Sequence, residues 1–504
     1  MNKLLSYISI AVLTLSAAEA VAQPFREYRD RNLWNAGRNV NGVRADSVTV
    51  SYAEISGGYE SGGYRNVNEA ASLWNAGAEA ATITHLDKIS MTGSFSFRHS
   101  DARDMCGSMM SKPGYYPVDI LEFTPGRKTR QIYSIAGGIT ADIAENWRIG
   151  GTIDIENENY TKRKDLRHSN YRLDMTFVPS LMWHKGDIAA GASYIFSRTS
   201  ETVRAEELGI VSGSYYAFLD KGLRYGVMDV WYNSGLHIFE AGVAGFPVAE
   251  NSSGVALQFQ WKGLYIDAEY GRRNGKIGEK QKIWYNFDGD NVSARLSYKL
   301  QLQDLTHCFS GTYSFRSTEN MENVLEDVTE NGVTLTRNYG ASTVSLSNSH
   351  EAGVSWVARD GRMLSFGAGI DWKGDRTAAS VLYPYVATQK KDRLDVGAWF
   401  WLPYRRFSMG CSVDFRFGWI SDAARSVSDD VSPESGPTRL EEYYDIEREY
   451  FTTPSGIARL SFRYTFRSNV YIEARYRSCE PLKALYRNSG RYRFFAGLAL
   501  GYDF

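Results

Sequence analysis

Over the last fourteen residues, Arg491 to Phe504, side-chain character alternates with a period of two. The even positions from Tyr492 read Tyr492, Phe494, Ala496, Leu498, Leu500, Tyr502 and Phe504. The odd ones read Arg491, Arg493, Phe495, Gly497, Ala499, Gly501 and Asp503. Successive side chains of a strand point to opposite faces, so this stretch has an oily face and a wet one. A period of two excludes an amphipathic helix. Aromatics at both ends of the oily face, with small aliphatics between them, are the lipid-facing profile of a strand that crosses a bilayer between two interfacial girdles.

The pattern recurs along the whole chain. Ile89, Met91, Phe95 and Phe97 oppose Ser90, Thr92, Ser94 and Ser96, and Tyr171, Leu173, Met175 and Phe177 oppose Arg172, Asp174 and Thr176. Leu394, Val396, Ala398, Phe400 and Leu402 continue it late in the chain. Counting such runs predicts an all-β fold, an antiparallel transmembrane β-barrel of about 18 strands, within roughly 14 to 20. In the first run the apolar parity slips between Tyr52 and Ala53, as a β-bulge would make it. Short turns such as His85 to Lys88, Ala144 to Trp147 and Phe466 to Asn469 alternate with longer polar segments. Barrels of this kind have short periplasmic turns and long extracellular loops, so residues 102–128, 202–250, 318–347 and 421–450 are expected outside. A soluble sandwich also has many short strands, yet it explains neither the aromatic face repeated strand after strand nor the alternation of loop length. The mean hydropathy of -0.37 is no objection, because alternating strands hide their membrane face from such averages.

The other end of the chain agrees. Lys3, the apolar run Leu4 to Leu15 and the small-residue site Ala20-Val21-Ala22 predict a signal peptide over residues 1–22, cleaved after export. Residues 23–46 are a polar lead-in, periplasmic or luminal, and residues 47–504 form the barrel. Leu33-Trp34-Asn35-Ala36-Gly37 in the lead-in recurs as Leu73-Trp74-Asn75-Ala76-Gly77, and the first copy suggests a short plug at the periplasmic mouth or a disordered lead-in. One repeated pentapeptide does not make a repeat fold. A formal charge of -1 gives no support for nucleic-acid binding. Cys106, Cys308, Cys411 and Cys479 follow no pairing pattern and are read as unpaired thiols.

The signal segment, the repeated strands and the terminal Tyr502-Asp503-Phe504 together resemble a Gram-negative outer-membrane β-barrel. Tyr502 and Phe504 match the aromatic positions of the C-terminal insertion signal of that class, although Ala499 stands where the signal usually has glycine. The resemblance implies outer-membrane lipid, lipopolysaccharide and the barrel-assembly machinery as partners. The early Asn-Ala-Gly strand and the polar lead-in also resemble the uncharacterised outer-membrane barrels of the Bacteroidales type, a domain of unknown function, and no catalytic residue is carried over from them. TonB-dependent transporters occupy the same membrane, but no room for a globular plug precedes the first strand here, and the strand count falls short of theirs.

The wet face is where chemistry belongs. Closing so many strands leaves a lumen wide enough for water. Inward parity in the earlier strands carries Asp154, Glu156, Asp267, Glu269 and Asp371; in the later ones it carries Asp395, Asp414, Arg416, Arg459, Arg463, Glu473, Arg475, Arg491 and Arg493. An acidic sector facing a basic one predicts a transverse field that selects solutes by charge, with hydrated or paired charges as the plainer reading. The seven histidines are scattered without metal spacing, and His99-Ser100-Asp101 cannot form a triad because adjacent strand residues face opposite ways. No enzyme activity, cofactor or metal is expected. The reading is a porin-like passive channel for small polar solutes. Its alternative is a structural or interaction barrel whose acidic extracellular loops, around Glu319 to Glu330 and Glu441 to Glu449, bind a surface partner. Neither solute nor oligomeric state is legible.

Overall fold

The computed structural model describes residues 32–164, 166–206, 216–223, 225–230, 245–280, 282–360, 364–379, 387–424, 439–486 and 490–504. The expected signal peptide lies outside these residues.

Nearly every apolar alternation becomes a strand. The first ten are β1 Val50–Gly62, β2 Ser72–His85, β3 Ile89–Ser108, β4 Asp119–Ala144, β5 Trp147–Lys162, β6 Arg167–Lys185, β7 Ile188–Glu206, β8 Tyr216–Asp220, β9 Gly226–Val230 and β10 Phe246–Trp261. The second ten are β11 Leu264–Glu279, β12 Lys282–Leu302, β13 Leu305–Glu330, β14 Val333–Asp360, β15 Ser365–Ala379, β16 Ala387–Tyr404, β17 Phe407–Ala424, β18 Ser455–Thr465, β19 Val470–Pro481 and β20 Arg493–Asp503. Among the described residues one α-helix, α1 Arg439–Thr452, lies between β17 and β18.

Each strand pairs antiparallel with its sequence neighbour, except that β8 pairs with β9 and with the start of β4, so that β7 meets β10 directly. Eighteen strands therefore form the wall. The wall closes where β1 meets β20, from Tyr52 opposite Asp503 to Gly62 opposite Arg493. Closure satisfies every wall backbone group without water, which the hydrocarbon demands. Among the described residues no helix is long and apolar enough to cross a membrane. Outward positions such as Ile135, Leu257, Leu296 and Leu498 are exposed to the surroundings of the barrel, as a lipid-facing band must be. This is the fold of an outer-membrane β-barrel, and the side that carries its short turns, the start of β1 and the end of β20 is the periplasmic one for that fold.

The expected bulge in β1 is absent, since β1 pairs in unbroken register with both neighbours. The parity slip has another cause: Val50 and Tyr52 face inward. Val50 packs on Ile83, Val43 and Val48, and the Tyr52 hydroxyl donates to Glu79 at 3.1 Å. The four segments expected outside carry structure of their own. Residues 318–347 continue β13 and β14 as one long hairpin, and residues 102–128 run through β3 and β4 with a connection that folds into the lumen. Residues 202–250 contain the β8–β9 hairpin, and residues 421–450 contain most of α1. None of the four cysteines forms a disulfide.

Candidate functional site

The lumen is entered from both ends by the chain itself. From the periplasmic end comes a strap, residues 32–46, built as two short 3-10 turns. Asn32 and Asn39 start these turns, each side-chain oxygen accepting from the backbone N–H two residues on, at 3.0 and 3.1 Å. The turns present Trp34, Asn39, Val40, Asn41 and Arg44 to the inner wall. Trp34 packs edge-on against Tyr265 and donates its indole N–H to Gln260 at 2.5 Å. Asn39 donates to the Leu181 carbonyl at 3.1 Å, and Asn41 donates to Ser180 at 3.2 Å while accepting from Thr140 at 2.6 Å. Arg44 reaches Ser90, the Asp87 carbonyl and Asp142. The wall is cut to receive these groups. A Cβ at Gly150 would lie 2.6 Å from Val40 Cγ1, and one at Gly191 would lie 2.5 Å from Asn39 Nδ2 and 2.8 Å from Trp34 Cζ3.

The repeated pentapeptide thus adopts two structures. In the strap it is a turn with Trp34 1 % exposed; in β2 it is a strand with Trp74 58 % exposed toward lipid. Local propensity is a weak prior, and tertiary context decides.

From the extracellular end comes a cap. The connection after β3 folds inward, burying Met109, Met110, Tyr116 and Val118 against Val203, Phe246, Val248, Ile277, Tyr285 and Phe287 of the upper wall. Glu201 holds its start, accepting from the Ser111 amide at 2.8 Å and the Ser111 hydroxyl at 3.1 Å. Beneath it Glu122 sits between Lys128 and Lys162 at 3.1 and 2.5 Å, with all three side chains fully buried. Helix α1 closes over this region through Tyr443 and Tyr444, which pack on Leu121, Phe123 and Phe218. Tyr443 donates to Asn68 at 2.8 Å and Tyr444 to Asp220 at 2.6 Å. Burial pushes the Tyr444 phenol above its ordinary range, with the Asp220 charge adding to it. Burial raises the Asp220 carboxyl too, against the lowering effect of the Tyr444 hydrogen bond. Removing that hydroxyl leaves a buried acceptor short of a donor, a loss of about 1–3 kcal/mol. Tyr444→Phe is therefore expected to speed hydrogen exchange in α1 roughly tenfold or more, with exchange in the wall unchanged.

Among the described residues two cavities border the inner wall. The larger, about 680 Å3, is lined by Arg38, Asp267, Glu269, Asp371, Lys373 and Asp395 among others. The smaller, about 350 Å3, is lined by Tyr52, Glu79, Asp154, Glu156 and Asp174. So Asp154, Glu156, Asp267, Glu269, Asp371 and Asp395 all border luminal space. The acidic wall is met by cations carried on the two inserted segments. Arg38 of the strap bonds Glu269 at 3.1 Å, and Lys112 of the cap lies 3.4 Å from both Glu156 and Asp174.

The late basic residues are not an unopposed sector. Arg459 pairs with Asp414, and Asp395 is shared by Arg393 and Arg416 at 3.0 Å each. Arg463 pairs with Asp503 at 2.5 Å and lies over the Tyr471 ring. Arg475 holds Glu54 at 2.7 Å and Glu473 at 3.1 Å, and Arg493 holds Glu60 at 2.5 Å. Arg491 stands before β20, exposed at the extracellular end, and not in the wall. The expected transverse field gives way to local pairing, because β1 supplies Glu54 and Glu60 to the last strands at the closure. Tyr502 and Phe504 stack edge to face at the chain end, and the Phe504 amide donates to the Ser51 carbonyl at 2.8 Å. Among the described residues no cluster of His, Cys, Asp and Glu is arranged to hold a metal.

Comparison with known families places this architecture. The family model for DUF6850, described as a family of unknown function, matches residues 42–504. The chain belongs to the DUF6850 family. No curated protein matches it. Among solved structures, this DUF6850 barrel is similar to the ferric-catecholate import receptor Fiu from E. coli K12, with 8 % identity, 91 % of this chain and 82 % of that one covered, and a TM-score of 0.42. It is similar to the FrpB iron transporter from Neisseria meningitidis, with 9 % identity, 91 % and 82 % covered, and a TM-score of 0.41. For the copper transporter OprC the values are 7 %, 91 % and 80 %, with a TM-score of 0.39. These superpositions are partial, and nothing about cargo follows from them.

Sequence reasoning missed the cap of the DUF6850 barrel. Phe246, Val248, Ile277, Tyr285 and Phe287 continue the inward parity of their strands with apolar residues where a wet lumen wants polar ones. That reversal was the available signal that something apolar packs inside.

Proposed function

We propose that this barrel passes small polar solutes across the outer membrane through a lumen that its own strap and cap narrow at rest. The observation that carries the reading is the seat of the strap: wall glycines give up the volume that Trp34, Asn39 and Val40 fill. A disordered lead-in would need no such seat. Withdrawing the strap removes Arg38 from Glu269, and displacing the cap removes Lys112 from Glu156 and Asp174. Arg172 of the wall stays with Glu156 and Asp174, so release of the strap matters more: it leaves Glu269 facing water beside Asp267 and Asp371, and the opened lumen favours cations over anions, as charged rings do in other pores. Export through a cleaved signal peptide, and insertion by the barrel-assembly machinery through Tyr502 and Phe504, belong to the same proposal.

Single-channel recording in a planar bilayer tests it, on refolded protein with and without residues 23–46. The truncated protein is expected to give larger conductance steps and a reversal potential shifted toward cation preference. Identical steps from both proteins, or silence from both with the barrel folded, would overturn it.

A further inference from the structure

Asn331 and Gly332 join β13 to β14 with positive φ of 52° and 78°, the conformation a two-residue hairpin turn requires. The two strands pair from Leu305 opposite Asp360 to Glu330 opposite Val333. Among the described residues their other neighbours stop far short of the turn. β12 accompanies β13 only as far as Tyr285 opposite Glu322, and β15 accompanies β14 only as far as Ser345 opposite Ala379. The last eight residues of β13 and their partners therefore form a two-stranded ribbon that rises about 25 Å above the adjoining wall. Such a ribbon is marginal in isolation, and its unpaired edge is a template for another strand.

The β14 edge is the more open of the two. Almost every residue from Val333 to Thr343 is exposed, whereas the β13 side is approached by Lys282, which pairs with Asp327 at 2.8 Å, and by the Asn323 bond to the Ile283 carbonyl at 2.7 Å. Val333, Leu335 and Tyr339 offer exposed apolar surface beside that edge. Edge strands exposed to water are normally guarded by charge, yet β14 carries only Arg337 between Val333 and Leu346. Charge is concentrated one strand behind it, where Glu319, Glu322, Glu326, Asp327 and Glu330 line β13. Arg337 is occupied by Glu330, and Tyr339 donates to Glu326 at 2.7 Å.

We propose that the β14 edge, Val333 to Thr343, docks an extended segment of a basic protein partner as an added antiparallel or parallel strand. Main-chain hydrogen bonds supply the affinity of such strand addition, and side chains select the partner. The apolar residues take β-branched neighbours, while the carboxylates of β13 draw lysine or arginine and reject acidic strands. A second copy of this chain is a poor occupant, because its own edge brings a single cation, Arg337, which Glu330 already holds. The surface is separate from the lumen, so its failure leaves solute passage untouched.

The test uses the full-length protein in detergent micelles and a labelled, acetylated peptide of alternating lysine and valine. Binding is expected by fluorescence anisotropy, weakening as salt shortens the reach of the carboxylates, with slowed hydrogen exchange at the backbone amides of residues 333–343. Glu326→Gln combined with Glu330→Gln should weaken binding roughly threefold to tenfold. Replacing residues 323–344 by a tight turn should abolish it while the barrel stays folded. Absence of binding, equal binding of a glutamate–valine peptide, binding without protection of residues 333–343, binding that survives the shortened ribbon, or dimers held by the ribbon without peptide would each overturn the proposal.

Discussion

Replacing Gly191 by leucine should expel the strap and leave the barrel standing. The new side chain claims the space of the Trp34 indole and the Asn39 amide, both buried in the native protein. Losing a buried tryptophan from its seat costs about 3–5 kcal/mol. Applied to the strap alone, even the lower figure shifts the balance between seated and released forms by more than about a hundredfold. Trypsin reads this directly at Arg38 and Arg44. In the native protein Arg44 is shielded by its bonds to Ser90 and Asp142. Cleavage at both sites is expected to rise about a hundredfold in Gly191→Leu, with the β-sheet circular dichroism unchanged. Cleavage at the native rate would mean that the wall glycines do not hold the strap.

The second large effect lies at the cap. Glu122→Ala removes the carboxylate from between Lys128 and Lys162, whose side chains are 0 % exposed. Two ammonium groups then face each other without a counter-charge, and breaking a buried ion pair in this way costs about 3–5 kcal/mol. The loss falls on the inward-folded part of β4, because Lys128 also binds the Ser108 carbonyl at 3.0 Å and Lys162 the Thr124 carbonyl at 2.5 Å. The expected result is a lowered urea midpoint for release of the cap, read by proteolysis at Lys112, while the wall unfolds later as before. Glu122→Leu combined with Lys128→Met and Lys162→Met should recover most of the loss, since an apolar cluster of similar volume replaces a buried ionic one at little cost. A single-variant effect no larger than that of a surface substitution would contradict the burial of this triad.

Both effects sit on features that the sequence shows only in part. The eighteen wall strands are legible because each repeats one demand, an oily face toward lipid and a wet face inward, and a period of two survives any error in strand ends. Parity likewise puts Asp267, Glu269, Asp371 and Asp395 on one face, and they line the larger cavity together. What parity does not contain is the identity of the facing partner. Glu54 and Arg475 are 421 positions apart, and only the β1–β20 closure brings them together. The same blindness turned a set of local ion pairs into an expected basic sector. The strap and α1 escaped for a different reason. Their stability comes from the seat they occupy, so the Leu33–Gly37 pentapeptide, read alone, looks no different from its strand-forming copy in β2. The inward tyrosine at position 52 was mistaken for a bulge because the strand was assumed to have water on its inner side, where Val50 and its neighbours meet the strap.

The most direct test of a strap seated within the wall is a covalent one. Val40→Cys and Gly150→Cys, introduced together after the four native cysteines are changed to serine, place two thiols where a Cβ at position 150 lies 2.6 Å from Val40 Cγ1. Closing the disulfide takes a small shift at position 150, whose Cβ also stands 2.7 Å from the Ile139 carbonyl oxygen. Mild oxidation of the folded protein, followed by mass spectrometry of its peptides, should find residues 40 and 150 joined in nearly every molecule. Two free thiols, with position 40 open to labelling by a maleimide, would show that the strap does not occupy the lumen.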